Sequence, residues 1–143
     1  MNVSQQLTVE FGSIKPYPET TFYYDGDDDS GVKIIIEAQK PASGIRINRT
    51  SGSEYIRIDP ARFSAIAGSD IKAHDRIEID THKGKKSAKL YRDGNEINIL
   101  HAIISSPQWI HLERGYNKFT YTATSGVDSL KIYMEYAERV NGV

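Results

Sequence analysis

The sequence contains no cysteine, which excludes disulfide bridges and thiolate metal sites. It also lacks a long apolar run, because even the run Ile34–Ile36 is far too short to cross a bilayer. A strong charge of one sign is missing as well, since 18 Lys and Arg residues stand against 19 Asp and Glu residues. A net charge of -1 therefore predicts no nucleic-acid partner, and the short apolar runs predict no membrane partner.

The length of 143 residues predicts a single domain, residues 1–143, that is long enough to bury a core. Repeats, linkers and low-complexity tracts are not evident in the sequence. The first residues, Met1–Gln6, lack the basic and apolar regions of a signal peptide, so we expect no secretory leader.

Apolar and polar residues alternate with a period of two along most of the chain. Successive side chains of a strand point to opposite faces of its sheet, so this period is typical of antiparallel sheet with one face toward a core. The alternating apolar positions are Leu7, Val9 and Phe11; Val32, Ile34, Ile36 and Ala38; Ile45 and Ile47; Ile56 and Ile58; Ile77 and Ile79; Phe119, Tyr121 and Ala123; and Leu130, Ile132, Met134 and Tyr136.

Turns that contain glycine separate these predicted strands. Glycine adopts the positive φ angles that tight hairpins need, and Asp-Gly is the strongest such signal. Many short strands at this spacing predict an all-β fold, an antiparallel two-sheet β-sandwich or a barrel, and we favour the sandwich. The turns are Thr50–Gly52, Lys83–Lys85, Asp93–Gly94 and Ser125–Gly126.

One segment breaks the strand pattern. Asp59 can cap a helix, Pro60 suits the first helical position, and Phe63 and Ile66 lie three residues apart. The sequence predicts one short helical element near residues 60–66.

The last third of the chain combines Trp109–Leu112, the turn Gly115-x-Asn117, and two alternating strands that end at Gly142-Val143. This order predicts a strand, a tight turn, a strand, a hairpin and a final strand. It resembles the C-terminal half of the distal tail proteins of long-tailed bacteriophages.

The resemblance extends over roughly residues 15 to 143 through the order of several weaker motifs. One departure concerns Arg114, which stands where the family usually has Pro, a residue that would fix φ before the glycine of the turn. The further motifs are Tyr17-Pro18, Ile45–Asn48, Ser51-Gly52, Ile79–Thr81 with Lys83–Lys85, and Asp93–Asn95.

The resemblance implies a galectin-like, jelly-roll-like sandwich that projects from a hexameric ring formed by an N-terminal half. We therefore expect this chain to be the C-terminal part of a larger distal tail protein. Alone it should be a monomer or weak oligomer, with a hexamer only when the ring domain is present.

The same resemblance implies a structural, non-enzymatic component of a phage or prophage tail tip, the baseplate hub. It would be made in the bacterial cytoplasm and located in the virion, without a cofactor. The implied partners are the tail tube, a tail-associated hub protein and a receptor-binding protein.

A carbohydrate-binding module that helps adhesion to the host surface is the alternative function. Sugar sites place an aromatic ring beneath a pyranose and surround it with polar side chains. Trp109 with His111, and Arg46 with Asn48, could form such a site.

The competing interpretation places Trp109 in the core. It would pack beside Leu112 and the next strand's Phe119 and Tyr121, since large aromatic residues are usually buried. The environment of Trp109 therefore discriminates between the two functions.

The sequence predicts no metal site. Asp25–Asp29 resembles the start of a calcium loop, but Ser30 replaces the required Gly and Ile36 replaces the bidentate Glu, so a solvated acidic loop is expected. A weak calcium site that uses Asp27 or Asp29 stays open. The four histidines show no ligand spacing: His74, His82, His101 and His111.

Catalytic residues are not predicted either. Glu78 with Asp80, or Asp59 with Asp75, could act as paired carboxylates, but we expect the first pair on a solvent face. The nucleophile motif Gly-x-Ser-x-Gly is absent. The basic turn Lys83–Lys86 is expected to be a solvated hairpin tip, because its small field is screened by salt.

Overall fold

The computed structural model describes residues 2–11 and 19–141, and the side chains of residues 19–137. These residues form a six-stranded and a five-stranded antiparallel sheet, which confirms the predicted two-sheet β-sandwich. The motifs Tyr17-Pro18 and Gly142-Val143 lie outside the described residues.

Among the described residues, the strands follow one another along the chain, with one α-helix, α1 (Pro60–Ala67), between the fifth and the sixth. Two short 3-10 turns span Leu100–Ala102 and Val127–Ser129. The strands are β1 (Asn2–Phe11), β2 (Glu19–Tyr24), β3 (Lys33–Ala38), β4 (Arg46–Arg49), β5 (Tyr55–Ile58), β6 (Arg76–Asp80), β7 (Ser87–Arg92), β8 (Asn95–Asn98), β9 (Ile103–Ser105), β10 (Gly115–Thr122) and β11 (Leu130–Asn141).

The sheets combine hairpins with pairings between distant parts of the chain. The six-stranded sheet has the order β1-β11-β3-β6-β7-β8, and the five-stranded sheet has the order β2-β10-β4-β5-β9. The first and last strands are therefore neighbours, with Phe11 opposite Ile132. In the second sheet β10 lies between β2 and β4, with Phe119 opposite both Thr20 and Arg49.

The core lies between the inner faces of the two sheets. Most of the alternating side chains that the period of two predicts are buried there, including Ile34 and Ile36 of β3 and Ile77 and Ile79 of β6. Ala123 is only partly buried, and the predicted side chains of Leu7, Val9 and Phe11 lie outside the described residues. Aromatic stacking also links the sheets. The Phe22 ring centroid lies 5.8 Å from that of Phe119 and 5.1 Å from that of Tyr136 on β11.

Helix α1 spans Pro60–Ala67, which confirms the predicted helical element. The Asp59 carboxylate caps it by accepting a 3.0 Å hydrogen bond from the Arg62 backbone N–H. The helix ends at Gly68, whose φ of 89° allows a left-handed C-cap. Of the two apolar residues that lie three positions apart in this helix, Phe63 is fully buried and Ile66 is 37% exposed.

Two expectations about strands were wrong or incomplete. Trp109–Leu112 is not a strand: only Leu112 pairs, through an isolated antiparallel bridge to Ser30. The short strands β8 and β9 were not predicted, because neither has a clear alternation of polar and apolar residues. In the described part of the chain, no helix is long and apolar enough to cross a membrane.

Candidate functional site

A groove at one end of the sandwich brings together two segments that are distant in sequence. The Ser30 N–H donates to the Leu112 carbonyl at 3.0 Å, and the Leu112 N–H donates back to the Ser30 carbonyl at 2.7 Å. This bridge places the loop before β3 beside the loop before β10. Asp29, Trp109 and His111 line the groove, which has a volume of about 350 Å³.

Trp109 is half-buried at the wall of this groove. It packs against the hydrophobic core, but it is not fully enclosed as the core interpretation expected. The Lys86 ammonium lies 5.4 Å from the centroid of the indole ring, within range of a cation–π interaction. Of the predicted neighbours, Leu112 and Phe119 are completely buried, and the ring partner of Phe119 is Phe22.

His111 lies beside Trp109, as the carbohydrate-binding hypothesis requires, but in a loop rather than on a strand. Its side chain is only 12% exposed. The ring Nδ1 lies 3.2 Å from the Trp109 carbonyl and 3.9 Å from a carboxylate oxygen of Glu54. The ring Nε2 lies 3.7 Å from Glu113 Oε1, so two carboxylates flank the imidazole.

Arg46 and Asn48 form a second, separate polar pair. They lie on the outer face of β4, where Arg46 Nε donates a 2.8 Å hydrogen bond to Asn48 Oδ1. The Arg46 guanidinium also stacks 4.1 Å from the ring centroid of Tyr55. Among the described residues no contact joins this pair to Trp109 or His111, so the structure does not unite the four predicted sugar-contact residues in one site.

Arg49, a buried arginine that the sequence analysis missed, binds residues that lie next to the groove. Arg49 is 2% exposed on the inner side of β4. Its guanidinium donates to Asn117 Oδ1 at 3.0 Å, to Glu54 at 3.0 Å and to Glu113 Oε2 at 2.6 Å. The hydrogen bond from Arg49, together with its charge, lowers the pKa of Glu113. The period of two predicts an inward-facing apolar residue at the position of Arg49. A charged residue at that position was the feature of the sequence that could have revealed this contact.

Asn117 explains the turn motif Gly115-x-Asn117. Its completely buried side chain accepts from the Glu113 backbone N–H at 3.1 Å and donates to the Glu113 and Gly115 carbonyls at 2.8 and 3.1 Å. Gly115 has φ of 109°, a region that a residue with Cβ rarely adopts. The motif therefore holds the backbone that carries His111 and Glu113.

The acidic loop contributes one side chain to the groove. Asp29, His111 and Glu113 each offer a ligand atom, and these atoms lie within 4.8 Å of one another. Asp25 instead pairs with Arg114 at 3.5 Å on the surface. The sequence predicted no metal site, and it could not show that these three potential ligands, on two distant segments, lie together in the fold.

The candidate acid–base carboxylates occupy separate structural positions. Glu78 pairs on the outer face of β6 with Lys33 at 2.8 Å and with Arg76 at 3.0 Å, and these cations lower its pKa against the effect of desolvation. Asp59 caps α1 and Asp75 is buried in an ion pair. Neither arrangement resembles two carboxylates facing each other across a cleft.

The basic turn between β6 and β7 borders a second, adjacent cavity of about 430 Å³. Lys83 and Lys85 line it together with His82 and the acidic residues Asp28 and Asp29. His82 is held by Asp80, whose carboxylate lies 2.6 Å from its Nδ1. The turn is exposed, as predicted, and it lies beside the acidic loop.

No family model matches the chain, and no curated protein matches it. Among solved structures, the chain is similar to a legume lectin-like domain from Entamoeba histolytica. The two are 7% identical with a TM-score of 0.38, and the match covers 98% of this chain and 90% of that one.

Proposed function

We propose that this chain is a structural module of a phage or prophage tail tip that docks neighbouring tail or receptor-binding proteins, and that it has no catalytic role. The proposal rests on the ordered motifs that resemble the C-terminal half of distal tail proteins. The observation that carries it is the turn Gly115-x-Asn117, whose buried Asn117 holds three backbone groups. This motif of the resemblance thus stabilises the scaffold.

Exposed aromatic residues support a docking role. Tyr116 is 73% exposed and Tyr23 is 47% exposed, and their rings meet edge to face with centroids 5.1 Å apart. They lie opposite each other on β10 and β2, and β2 is an edge strand of its sheet. Tyrosines are enriched at protein interfaces because they combine apolar area with a polar tip.

The location in the virion provides the direct test. Antibodies raised against this chain should label the tail tip of virions from the bacterium that carries the gene, seen by immunogold electron microscopy. Labelling should be absent from virions of a deletion strain complemented with an unrelated tail gene. Purified virions that lack the chain by mass spectrometry would contradict the proposal, as would a stable hexamer of the isolated chain in light scattering.

The groove at Trp109 favours carbohydrate binding as a second candidate function. A half-buried indole flanked by Lys86, Gln108 and His111 combines an apolar ring face with hydrogen-bonding groups. That combination suits a pyranose better than a fully buried tryptophan would. Arg46 and Asn48 belong to a different surface and are not part of this candidate site.

Replacing Trp109 with Ala tests this second candidate. Because the indole is only half-buried, we expect a loss of about 2 kcal/mol in the free energy of unfolding, less than for a core aromatic. A glycan bound by the parent chain on an array should be lost by the variant. The matched control Tyr116→Ala removes an exposed aromatic elsewhere and should leave that binding intact. An array without any hit, or a hit that survives Trp109→Ala, would refute carbohydrate binding in the groove.

A further inference from the structure

We propose that Asp29, His111 and Glu113 together bind one divalent transition-metal ion, for which Zn²⁺ is the appropriate probe. This inference is independent of the proposed function, since it requires neither a tail nor a sugar. It rests on the geometry of the backbone bridge, on the partners of each ligand, and on the chemistry of the donor atoms.

The bridge between Ser30 and Leu112 directs the three side chains to one side. In an antiparallel pair, the residues that flank the bridged positions point to the face opposite the bridged side chains. Leu112 is completely buried in the core, so its neighbours His111 and Glu113 point away from the core, and Asp29 lies opposite Glu113. The convergence therefore follows from the pairing of two backbone segments.

Four positions flank the bridge, two on each segment. Asp29, His111 and Glu113 occupy three of them, and the fourth, Gly31, has no side chain. Gly31 lies opposite His111, and a Cβ built on it would be 2.5 Å from the Cα of His82. The close approach of the β6–β7 turn thus requires glycine there. Of the four positions that flank the bridge, three therefore carry side chains, and all three have metal-binding atoms.

The orientation of His111 leaves Nε2 available as a ligand. Its Nδ1 donates to the Trp109 carbonyl at 3.2 Å, which places the lone pair on Nε2. Nε2 lies 3.7 Å from Glu113 Oε1. A histidine that ligates a metal almost always donates its other N–H to a carbonyl or carboxylate, so this is the outer-shell contact of such a site.

Glu113 is held by one oxygen and offers the other. Arg49 binds Oε2 at 2.6 Å, whereas Oε1 faces the imidazole. An ion between Oε1 and Nε2 therefore leaves the ion pair with the buried Arg49 intact.

The spacing of the ligand atoms allows small ions to bind. A tetrahedral zinc ion with bonds of about 2.0–2.2 Å requires ligand atoms about 3.4 Å apart. In the structure the three ligand atoms lie within 4.8 Å of one another. His111 Nε2 and Glu113 Oε1 already lie 3.7 Å apart, and Asp29 is exposed and can rotate toward them. One nitrogen and two carboxylate oxygens suit Zn²⁺ better than Ca²⁺, which prefers six to eight oxygens.

Isothermal titration calorimetry with ZnCl₂ tests the proposal on the chain prepared without a histidine tag. We expect one ion per chain, no comparable binding of Ca²⁺, and an affinity lowered at least about tenfold by Asp29→Asn. His111→Gln should lower it by more than about 100-fold, since even loss of an outer-shell partner costs about 10- to 100-fold.

Two matched controls separate this site from general surface binding. Asp27→Asn removes the same charge from the same loop, and His101→Gln removes an exposed histidine elsewhere; both should bind Zn²⁺ like the parent. Circular dichroism verifies that each variant is folded. If His111→Gln does not fold, the Zn²⁺ affinity of Asp29→Asn, which changes an exposed residue, tests the proposal by itself. Absence of saturable binding, an unchanged affinity in Asp29→Asn, or an equal loss in either control would overturn the proposal.

Discussion

Replacing Phe63 with Ala is expected to lower the free energy of unfolding by about 3–5 kcal/mol, the usual range for deleting a buried phenylalanine. Phe63 is completely buried and is the buried residue of α1. Its ring also lies 5.9 Å from the guanidinium carbon of Arg92. The variant loses the packing of this buried ring between the helix and the sandwich. Chemical denaturation monitored by circular dichroism measures the resulting loss of stability.

The same helix offers a matched control. Ile66→Ala shortens an apolar side chain three residues away that is 37% exposed. This variant should change stability by less than about 0.5 kcal/mol, as surface substitutions usually do. Equal effects of the two substitutions would show that α1 packs by a different face from the one described.

Replacing Asp75 with Ala is expected to lower the free energy of unfolding by about 3–5 kcal/mol, because the variant leaves the buried charge of Arg92 unpaired. Asp75 is 2% exposed and Arg92 is 8% exposed, and they are joined by bonds of 2.9 and 2.6 Å. Asp75 also accepts a 2.8 Å hydrogen bond from the Lys72 backbone N–H. The carboxylate therefore holds both the arginine and the loop that follows α1.

Arg92 extends this ion pair to the end of the helix. Its guanidinium donates to the Ala67 and Asp70 carbonyls at 3.2 and 2.9 Å and to Ser69 Oγ at 2.9 Å. The Asp75 carboxylate raises the pKa of Arg92, so the charge persists at all ordinary pH values.

A double-mutant cycle separates the ion pair from the rest of the contacts. The double variant Asp75→Ala/Arg92→Met should be less destabilised than the sum of the two single variants, since neither charge is then left unpaired. Asp128→Ala serves as a control, because Asp128 is exposed on a 3-10 turn and its loss should be nearly neutral. Simple additivity of the two single effects would show that the pair contributes no coupling energy.

Most of the strands could be predicted because their signal is local. A strand with one buried face shows its alternation in the sequence, as do Ile77 and Ile79 in β6. The helix was also predictable, since Asp59 and Pro60 act on their immediate neighbours. The expected strand at Trp109–Leu112 was wrong because alternation does not show whether a partner strand is present for hydrogen bonding.

The candidate sites were less predictable because they depend on pairs of distant segments. Trp109 was recognised as the residue that distinguishes the two functions, but its half-buried position depends on the Ser30–Leu112 bridge and on Lys86. Arg49 was overlooked, since a charged residue at an inward position is stable only when specific acceptors surround it.

The sequence by itself determined the fold class, the capped helix and the turns, because each follows from interactions within a few residues. Only the tertiary structure decided which strands pair, where Trp109 lies, and that Asp29, His111 and Glu113 converge. Those arrangements join residues that are about eighty positions apart, and the register of the pairing sets which side chains share a face. The physical reason is that side-chain alternation arises within one strand, whereas a site requires two distant segments of the chain to lie side by side.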